Sequence, residues 1–591
     1  MKTSGMELRD IMKRAGEYVH QEKNEVFRQE VQNLINENNT AELEERFYTN
    51  LSFGTGGIRG IMGGGYNRMN PLIVQRVTQG LANYILKQNI QNPSLAISYD
   101  SRHNSTLFAR TAAAVLAANN IHVYLFASLR PTPELSYSVR KLGCTSGIMC
   151  TASHNPKAYN GYKVYWQDGA QIIYPQDAGI IAEVNAVGDS LRSMDVDEAV
   201  DKNIIEYLGK EMDDEFMSMT MRKIIRSELF PPAAVPRLKV AYTPLHGTGA
   251  LLMERLCKEL SIPLSIVPEQ REPNGDFPTV KFPNPEEPEA MRMVLELAER
   301  ENADLVIGTD PDADRIGTAV RGDKGYVLLN GNEHGVLLCD YVLGSMKERG
   351  TLPANPAFVN TIVSTDLQRR IARAYGAETA ETITEFKWIA SKIREFDDTG
   401  GPQYILGGEE SYGFMIGTDV RDKDAIGASL VTIEMAMYYQ QQGKTLLDRL
   451  DEIHREFGLY QESLISKNFE GLNGSEVMSA MMSRLRTDPP AEIGGIAVDR
   501  MRDILDGTTL YIASGKKEKN VDIPSSNVLQ FFLADGSTLS ARPSGTEPKI
   551  KFYASVKDTA GEDLSASRKR TLKKLQSIEH YIESVIGSAQ A

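Results

Sequence analysis

Cysteine is scarce in this chain. Its 591 residues include four, Cys144, Cys150, Cys257 and Cys339, and no two have the C-x-x-C spacing of a zinc or redox site. Four thiols are too few to staple so long a chain, so a reducing cytoplasm is the expected compartment. Long apolar runs are missing too: nothing approaches the about 18 consecutive apolar residues of a membrane span. Lys2, Glu7, Arg9 and Asp10 stand where a secretory leader needs an apolar stretch. Basic excess is also absent. Lys and Arg number 65 against 79 Asp and Glu, a formal net charge of −14, which argues against nucleic acid or an anionic membrane as partner. An anionic substrate would need cations gathered locally against that background. Three familiar fingerprints fail as well. There is no G-x-S-x-G elbow, Gly247-Thr248-Gly249 lacks the third glycine of a dinucleotide loop, and Gly443-Lys444-Thr445 has Tyr438 where a Walker loop needs glycine.

What is present reads as globular protein: 41% hydrophobic and 24% charged residues, with a length that suggests about four domains. Residues 6–49 space their apolar positions, such as Val26, Phe27, Val31, Leu34 and Ile35, as helices do. Short apolar runs then alternate with helical stretches. Strands are expected at Ser94–Tyr99, His122–Phe126, Gly147–Cys150, Leu238–Tyr242, Asp304–Gly308, Ala357–Val363 and Gln403–Leu406, a grammar of α/β layers. Three times a strand leads into a polar or glycine-containing loop: Thr151–Pro156, Thr309–Arg315 and Gly407–Gly413. Ligands of open α/β sheets bind beyond the carboxyl ends of strands, so chemistry is expected there. The last stretch differs. Val528–Leu533, Thr538–Ala541 and Lys549–Val556 read as an antiparallel meander with an Asp535-Gly536 hairpin turn, followed by a helix over about 566–586. Leu464–Asn473 reads as a connection into it. Boundaries are placed to give domains of 1–222, 223–336, 337–458 and 459–591.

Four loops carry candidate chemistry. In Thr309–Arg315, Asp310, Asp312 and Asp314 recur at every second position after an apolar run. Crowded carboxylates need a cation, and hard oxygen ligands favour Mg²⁺ or Ca²⁺. An EF-hand is excluded, because Arg315 and Arg321 occupy its glycine and glutamate positions. In Thr151–Pro156, followed by Asn160-Gly161-Tyr162-Lys163, Ser153 is either a nucleophile or part of a simple turn. His154 is not assumed to be its base, since neighbours on an extended segment point to opposite sides. In Arg542-Pro543-Ser544-Gly545-Thr546, Arg542 offers a fork for phosphate, with hydroxyls at Ser544 and Thr546 and an open backbone at Gly545. A hairpin turn with incidental polar groups is the alternative. Gly407–Gly413, containing Glu409 and Ser411, offers acceptors suited to sugar hydroxyls. Near the N-terminus, Gly54-Thr55-Gly56-Gly57-Ile58-Arg59 joins a permissive backbone to one cation.

In this order, the motifs T-A-S-H-N-P, D-P-D-A-D-R, G-E-E-S-Y-G and R-P-S-G-T-E-P-K resemble those of the α-D-phosphohexomutase superfamily, the phosphoglucomutases and phosphomannomutases. The likeness runs from about residue 50 to 556, and residues 6–49 with N-P-K-x-Y-N-G-Y-K-V-Y resemble the phosphoglucomutase-2/phosphopentomutase-like branch most. The resemblance implies an α/β protein of four domains around a central cleft: three related mixed α/β domains and a C-terminal α+β domain like the TATA-binding protein. It implies a phosphorylated Ser153, with Mg²⁺ held by Asp310, Asp312 and Asp314 together with the Ser153 phosphate. Thr55, Arg59, Arg315, Thr384, Glu409, Ser411 and Lys423 would surround the substrate, and Arg542, Ser544, Gly545 and Thr546 would clamp the phosphate that is not reacting. Lys163, with Arg59, is the leading candidate for proton transfer and His154 the second. The implied reaction exchanges glucose 1-phosphate and glucose 6-phosphate through a hexose 1,6-bisphosphate, which also serves as activator. Mannose or pentose phosphates, bisphosphate synthesis, and a non-catalytic sugar-phosphate sensor are the alternatives. One departure stands out. Glu385 replaces the glycine that family members usually carry before the aromatic of Thr384-Glu385-Phe386-Lys387-Trp388.

Overall fold

The computed structural model describes residues 7–54, 56–188, 190–230, 238–469, 474–544, 549–559, 561 and 563–590. They form two compact units, one of residues up to 331 with 411–438, the other of 332–410 with the remainder from 439. No helix among the described residues is long and apolar enough to cross a membrane.

The first unit opens with three helices, Leu8–Gln21, Glu25–Asn36 and Thr40–Phe47. Asparagines start the second and third: Asn24 accepts from Val26 N and Asn39 from Glu42 N, capping amides that have no partner inside the helix. Tyr18, Val31, Leu43 and Phe47 are fully buried in the core that the following sheet also shares. Tyr18, Phe47 and Tyr66 meet edge to face, with centroids 5.8 Å and 5.6 Å apart. Glu30 and Arg46 grip the turn beyond, Glu30 accepting from Gly64 N at 2.7 Å and Arg46 donating to Gly64 O at 3.0 Å.

That sheet runs Gly57–Ile61, Tyr159–Trp166, Ser146–Cys150, Ser94–Tyr99, His122–Phe126, Ile205–Leu208 in space. The last four strands are parallel, and the first two add on antiparallel. Parallel strands covered on both faces read as near-continuous apolar runs, which is why Ser94–Tyr99 and Ser146–Cys150 stand out in the sequence. A second sheet has the order Gly325–Leu329, Ile316–Gly322, Leu305–Thr309, Val240–Thr243, Leu264–Ile266. Thr309 and Ile316 are register partners in antiparallel strands, so the aspartate-rich segment is the connection of that hairpin.

In the second unit, Glu378–Thr382, Pro356–Thr361 and Gln403–Glu409 are parallel neighbours. An eight-stranded sheet follows the path Leu459–Asn468, Lys549–Asp558, Thr538–Pro543, Leu529–Leu533, Ile496–Asp503, Thr508–Tyr511, Lys517–Glu518, with Glu492–Ile493 paired to the side. Its pairings are antiparallel, and its apolar face packs with residues of the helices Gly474–Thr487 and Leu564–Gln590. The expected meander and C-terminal helix are both present. The expected connection at Leu464–Asn473 needs correction. Residues 464–468 belong to a ten-residue strand that pairs with Lys549–Asp558 along its whole length. Phe469 is buried, and residues 470–473 lie outside the described set.

Candidate active site

The Ser153 loop is built from backbone outward. Strands Ser94–Tyr99 and Ser146–Cys150 end side by side, with Tyr99 opposite Cys150. Asp100, just past the first strand end, accepts from Thr151 Oγ1 at 2.6 Å, and Thr151 Oγ1 in turn accepts from Ser153 N at 2.7 Å. Arg102 then ties the loop down. Its guanidinium donates to the carbonyls of Ser153 (2.6 Å), Pro156 (2.9 Å), Tyr159 (3.1 Å) and Asn155. Within this frame Ser153 takes φ +51°, which a non-glycine residue rarely adopts. The segment is therefore a tight turn rather than extended, and the side chains of Ser153 and His154 come together. His154 Nδ1 lies 3.2 Å from Ser153 Oγ.

Ser153 Oγ donates to Asp310 Oδ2 at 2.8 Å. Asp310, Asp312 and Asp314 are buried, and one carboxylate oxygen of each lies within 4.8 Å of the others. Asp310 Oδ1 accepts from the backbone N–H groups of Asp314 (3.1 Å) and Arg315 (2.9 Å), which curls the loop around its first carboxylate. Asp312 Oδ2 accepts from Thr132 Oγ1 (2.8 Å) and Lys163 Nζ (2.9 Å), and Asp314 Oδ2 lies 3.1 Å from Lys423 Nζ. Asp312 Oδ1 and Asp314 Oδ1 are buried with no hydrogen-bond partner. Orphaned carboxylate oxygens are costly in a protein interior, and hard oxygens this close together fit a divalent cation such as Mg²⁺.

Charge around the cluster is uneven. Burial, then Asp312 and Asp314, push the Asp310 carboxyl well above its usual range. At Asp314 burial pushes upward too, but Lys423, Lys163 and Arg315 outweigh it and the carboxyl falls below the usual range. Lys163 is the converse: burial favours the neutral amine, while Asp312 and Asp314 prevail and raise its pKa. Burial, then Arg315, hold His154 well below the ordinary imidazole value, so it stands neutral.

The remaining expected residues fall in several places. Arg59 lies exposed on the strand Gly57–Ile61 and donates to Asn155 Oδ1 at 3.3 Å. Arg315 donates to the Ser411 carbonyl at 2.9 Å and to Glu286. Lys423 also pairs with Asp422 at 3.1 Å, whose carboxylate accepts from Tyr165 and Gln171. Ser153, His154, Lys163, the three aspartates and Lys423 thus converge within the first unit. In the second unit, Glu409 ends the strand Gln403–Glu409 and accepts from Glu385 N at 3.0 Å, beside buried Thr384. Neighbouring Glu410 accepts from Thr361 and Ser364. Burial, then Glu410, raise the pKa of Tyr553, while Arg542 acts in the opposite sense. Ser544 N, two residues past Arg542, donates to Lys549 O at 2.7 Å. Thr55, Gly545 and Thr546 lie outside the described residues.

Several participants were missed in the sequence: Asp100, Arg102, Thr132, Glu286 and Asp422. Asp100 and Arg102 carried a signal, since Asp100-Ser101-Arg102 directly follows the strand Ser94–Tyr99 as Thr151–Ser153 follows its neighbour. Thr132 starts a helix remote in sequence from its carboxylate partner, and nothing local marks it.

A buried hydroxyl held against three carboxylates, beyond strand ends of α/β sheets and flanked by two ammonium groups, defines a site of the phosphoryl-transfer class. Models of the phosphoglucomutase/phosphomannomutase α/β/α domains I, II and III match residues 50–190, 220–324 and 330–457. The chain belongs to the phosphoglucomutase/phosphomannomutase family, within the α-D-phosphohexomutase superfamily, and is an isomerase of the phosphomutase type. A phosphoglucomutase of Staphylococcus aureus strain MRSA252 is 37% identical over 542 residues, 90% of this chain and 95% of that one. The strain NCTC 8325 phosphoglucomutase is 37% identical over 544 residues, with the same coverage. Among solved structures, the Paramecium phosphoprotein pp63/parafusin in its open form aligns with TM-score 0.65 at 17% identity, over 90% of this chain and 95% of that one. A phosphoglucomutase/phosphomannomutase family protein of Burkholderia thailandensis aligns with TM-score 0.63 at 18% identity, over 91% and 97%. These last two likenesses concern the fold.

Proposed function

We propose that the chain is a phosphoglucomutase that interconverts α-D-glucose 1-phosphate and glucose 6-phosphate through a phosphorylated Ser153. The observation that carries this reading is the 2.8 Å contact of Ser153 Oγ with Asp310 inside the buried three-aspartate cluster. The relatives named phosphoglucomutase support glucose as the sugar. Phosphoserine donates its phosphoryl group to the free hydroxyl: the Ser153 Oγ–P bond breaks, a bond from phosphorus to the sugar oxygen forms, and the hydroxyl proton passes to a base. The resulting glucose 1,6-bisphosphate reorients, and its other phosphoryl group returns to Ser153 Oγ by the reverse exchange.

Asp310, Asp312 and Asp314 are assigned to Mg²⁺, which when bound supplies charge neutralisation for the phosphoryl oxygens. Lys163 and Lys423 stand beside the same carboxylates and would stabilise charge spread over those oxygens in the transition state. Lys163 and His154 are the two groups assigned to proton transfer: Lys163 Nζ lies 2.9 Å from Asp312 Oδ2, and His154 Nδ1 lies 3.2 Å from Ser153 Oγ. Thr55, Arg59, Arg315, Thr384, Glu409, Ser411 and Lys423 are assigned to the substrate, and Arg542, Ser544, Gly545 and Thr546 to the non-reacting phosphate.

A coupled assay with glucose 1-phosphate and a trace of glucose 1,6-bisphosphate tests the reading. Turnover is expected in the wild type with Mg²⁺, and its loss is expected after chelation and in Ser153→Ala. Intact mass should place one phosphate on Ser153. Full activity of Ser153→Ala, or a clear preference for mannose 1-phosphate or ribose 1-phosphate over glucose 1-phosphate, would reject the assignment as made.

A further inference from the structure

We propose that Thr132 is a positioning residue for the metal: it engages one oxygen of Asp312, leaves the other for the ion, and so favours Mg²⁺ over Ca²⁺. The inference rests on the metal assignment made above. Thr132 Oγ1 donates to Asp312 Oδ2 at 2.8 Å, and Thr132 N donates to the Asp312 carbonyl at 2.9 Å. One residue thus fixes both the side chain and the backbone of a carboxylate 180 positions away in the sequence. Thr132 is itself fully buried.

Its own place is fixed from several sides. Thr132 opens the helix Thr132–Lys141 between Pro131 and Pro133, whose rings lock φ. Just before it, Arg130 N donates to Tyr99 O at 3.1 Å, and Ser98 Oγ donates to Arg130 O at 3.0 Å. The Arg130 guanidinium grips both oxygens of Asp213, at 2.7 Å and 2.9 Å. The hydroxyl therefore stands on a rigid support. The preceding residue of the aspartate loop is held in a similar way, with Thr248 donating its N–H (2.8 Å) and its Oγ1 (3.0 Å) to the Pro311 carbonyl.

Each carboxylate of the cluster has one oxygen engaged by the protein. At Asp310 it is Oδ1, which accepts from two backbone N–H groups. At Asp312 it is Oδ2, shared by Thr132 and Lys163. At Asp314 it is Oδ2, 3.1 Å from Lys423 Nζ and 3.5 Å from Lys163 Nζ. Asp312 Oδ1 and Asp314 Oδ1 have no hydrogen-bond partner, and Asp310 Oδ2 meets the Ser153 hydroxyl. Carboxylates arranged in this way offer single oxygens, which suits small, octahedral Mg²⁺, whereas Ca²⁺ takes about six to eight oxygens and accepts both from one carboxylate. Thr132 blocks such pairing at Asp312 without adding a charge that would repel the ion. Partners that orient a ligand in this manner commonly set metal affinity.

Calorimetric titration of the full chain with magnesium chloride and with calcium chloride tests this. The wild type should bind Mg²⁺ more tightly than Ca²⁺. Thr132→Val keeps the shape and the backbone N–H but removes the hydroxyl. It should weaken Mg²⁺ by about tenfold or more and Ca²⁺ by less, so that the preference narrows. Thr132→Ser restores the donor and should bring both affinities back to within about twofold of wild type. Unchanged affinities in Thr132→Val overturn the role of Thr132 and leave the metal assignment intact, and equal weakening of both ions overturns the selectivity. If Thr132→Val does not fold, Thr132→Ser decides, because a folded serine variant that has lost the wild-type preference overturns the role of the hydroxyl. A wild type that binds neither ion overturns the metal assignment and this inference together.

Discussion

Arg102 ties down the Ser153 loop through its backbone, yet it touches no atom proposed to react. It donates to four carbonyls of the loop 153–159 and pairs with Asp100 in a wholly buried setting. Lysine has one ammonium where arginine has a rigid fork, so Arg102→Lys is expected to fail nearly as badly as Arg102→Ala. Removing one partner of a buried ion pair costs about 3–5 kcal/mol, which differential scanning should register as a clear fall in Tm for Arg102→Ala. Misplacement of Ser153 should lower kcat by about a hundredfold or more. Retained kcat in either variant would mean that Thr151 and Asp100 suffice. The Ser153 and three-aspartate loops were legible as candidates because each sits in a motif whose chemistry is local. The proximity of His154 to Ser153 was not, because it depends on a positive φ that only the finished turn reveals. Nor was the proton-holding environment of Lys163, whose cause lies about 150 residues away at Asp312 and Asp314.

Among the elements, the parallel strands Ser94–Tyr99, Ser146–Cys150 and Pro356–Thr361 were the most legible, being buried almost throughout, whereas the parallel strands Ile205–Leu208 and Glu378–Thr382, partly exposed and carrying charges, were not. The strand Leu459–Asn468 was not, because its burial fades from Leu459 and Tyr460 to a polar, exposed end at Lys467 and Asn468. Pairing with Lys549–Asp558 holds it in place rather than its own pattern. One side chain on it gives a pH prediction. Burial raises Glu462 to about 7, although Thr365 and Ser555 pull the other way. With the folded pKa above the ordinary value, the folded state binds more protons, so this contribution to stability is present below about pH 4.5 and is lost as pH rises through 7. Glu462→Gln should therefore raise the urea midpoint at pH 8 relative to wild type and change it little at pH 5. Equal shifts at both pH values would place the effect in packing rather than protonation.

For the whole molecule, the first three helices are not an appendage. Tyr18, Val31, Leu43 and Phe47 fill the same core as the sheet that carries Ser153. Each large buried side chain contributes about 1.5–3 kcal/mol, so a chain started at residue 50 should be insoluble or unfolded by circular dichroism. A soluble, cooperatively folding truncation would contradict this. The sequence showed that these residues were helical but not what they covered, since an amphipathic pattern names a buried face without naming its partner. The division into units has a different consequence. Residues 411–438 belong with the first unit although they follow a long excursion through the second, and they bring Lys423 to Asp314. On the ribosome, a nascent chain that has reached residue 331 already holds Ser153 and all three acids but not this late-arriving cation. The surroundings of Ser153 are thus completed only after translation has passed well beyond them, so the proposed phosphoserine chemistry would wait on the return of residues 411–438.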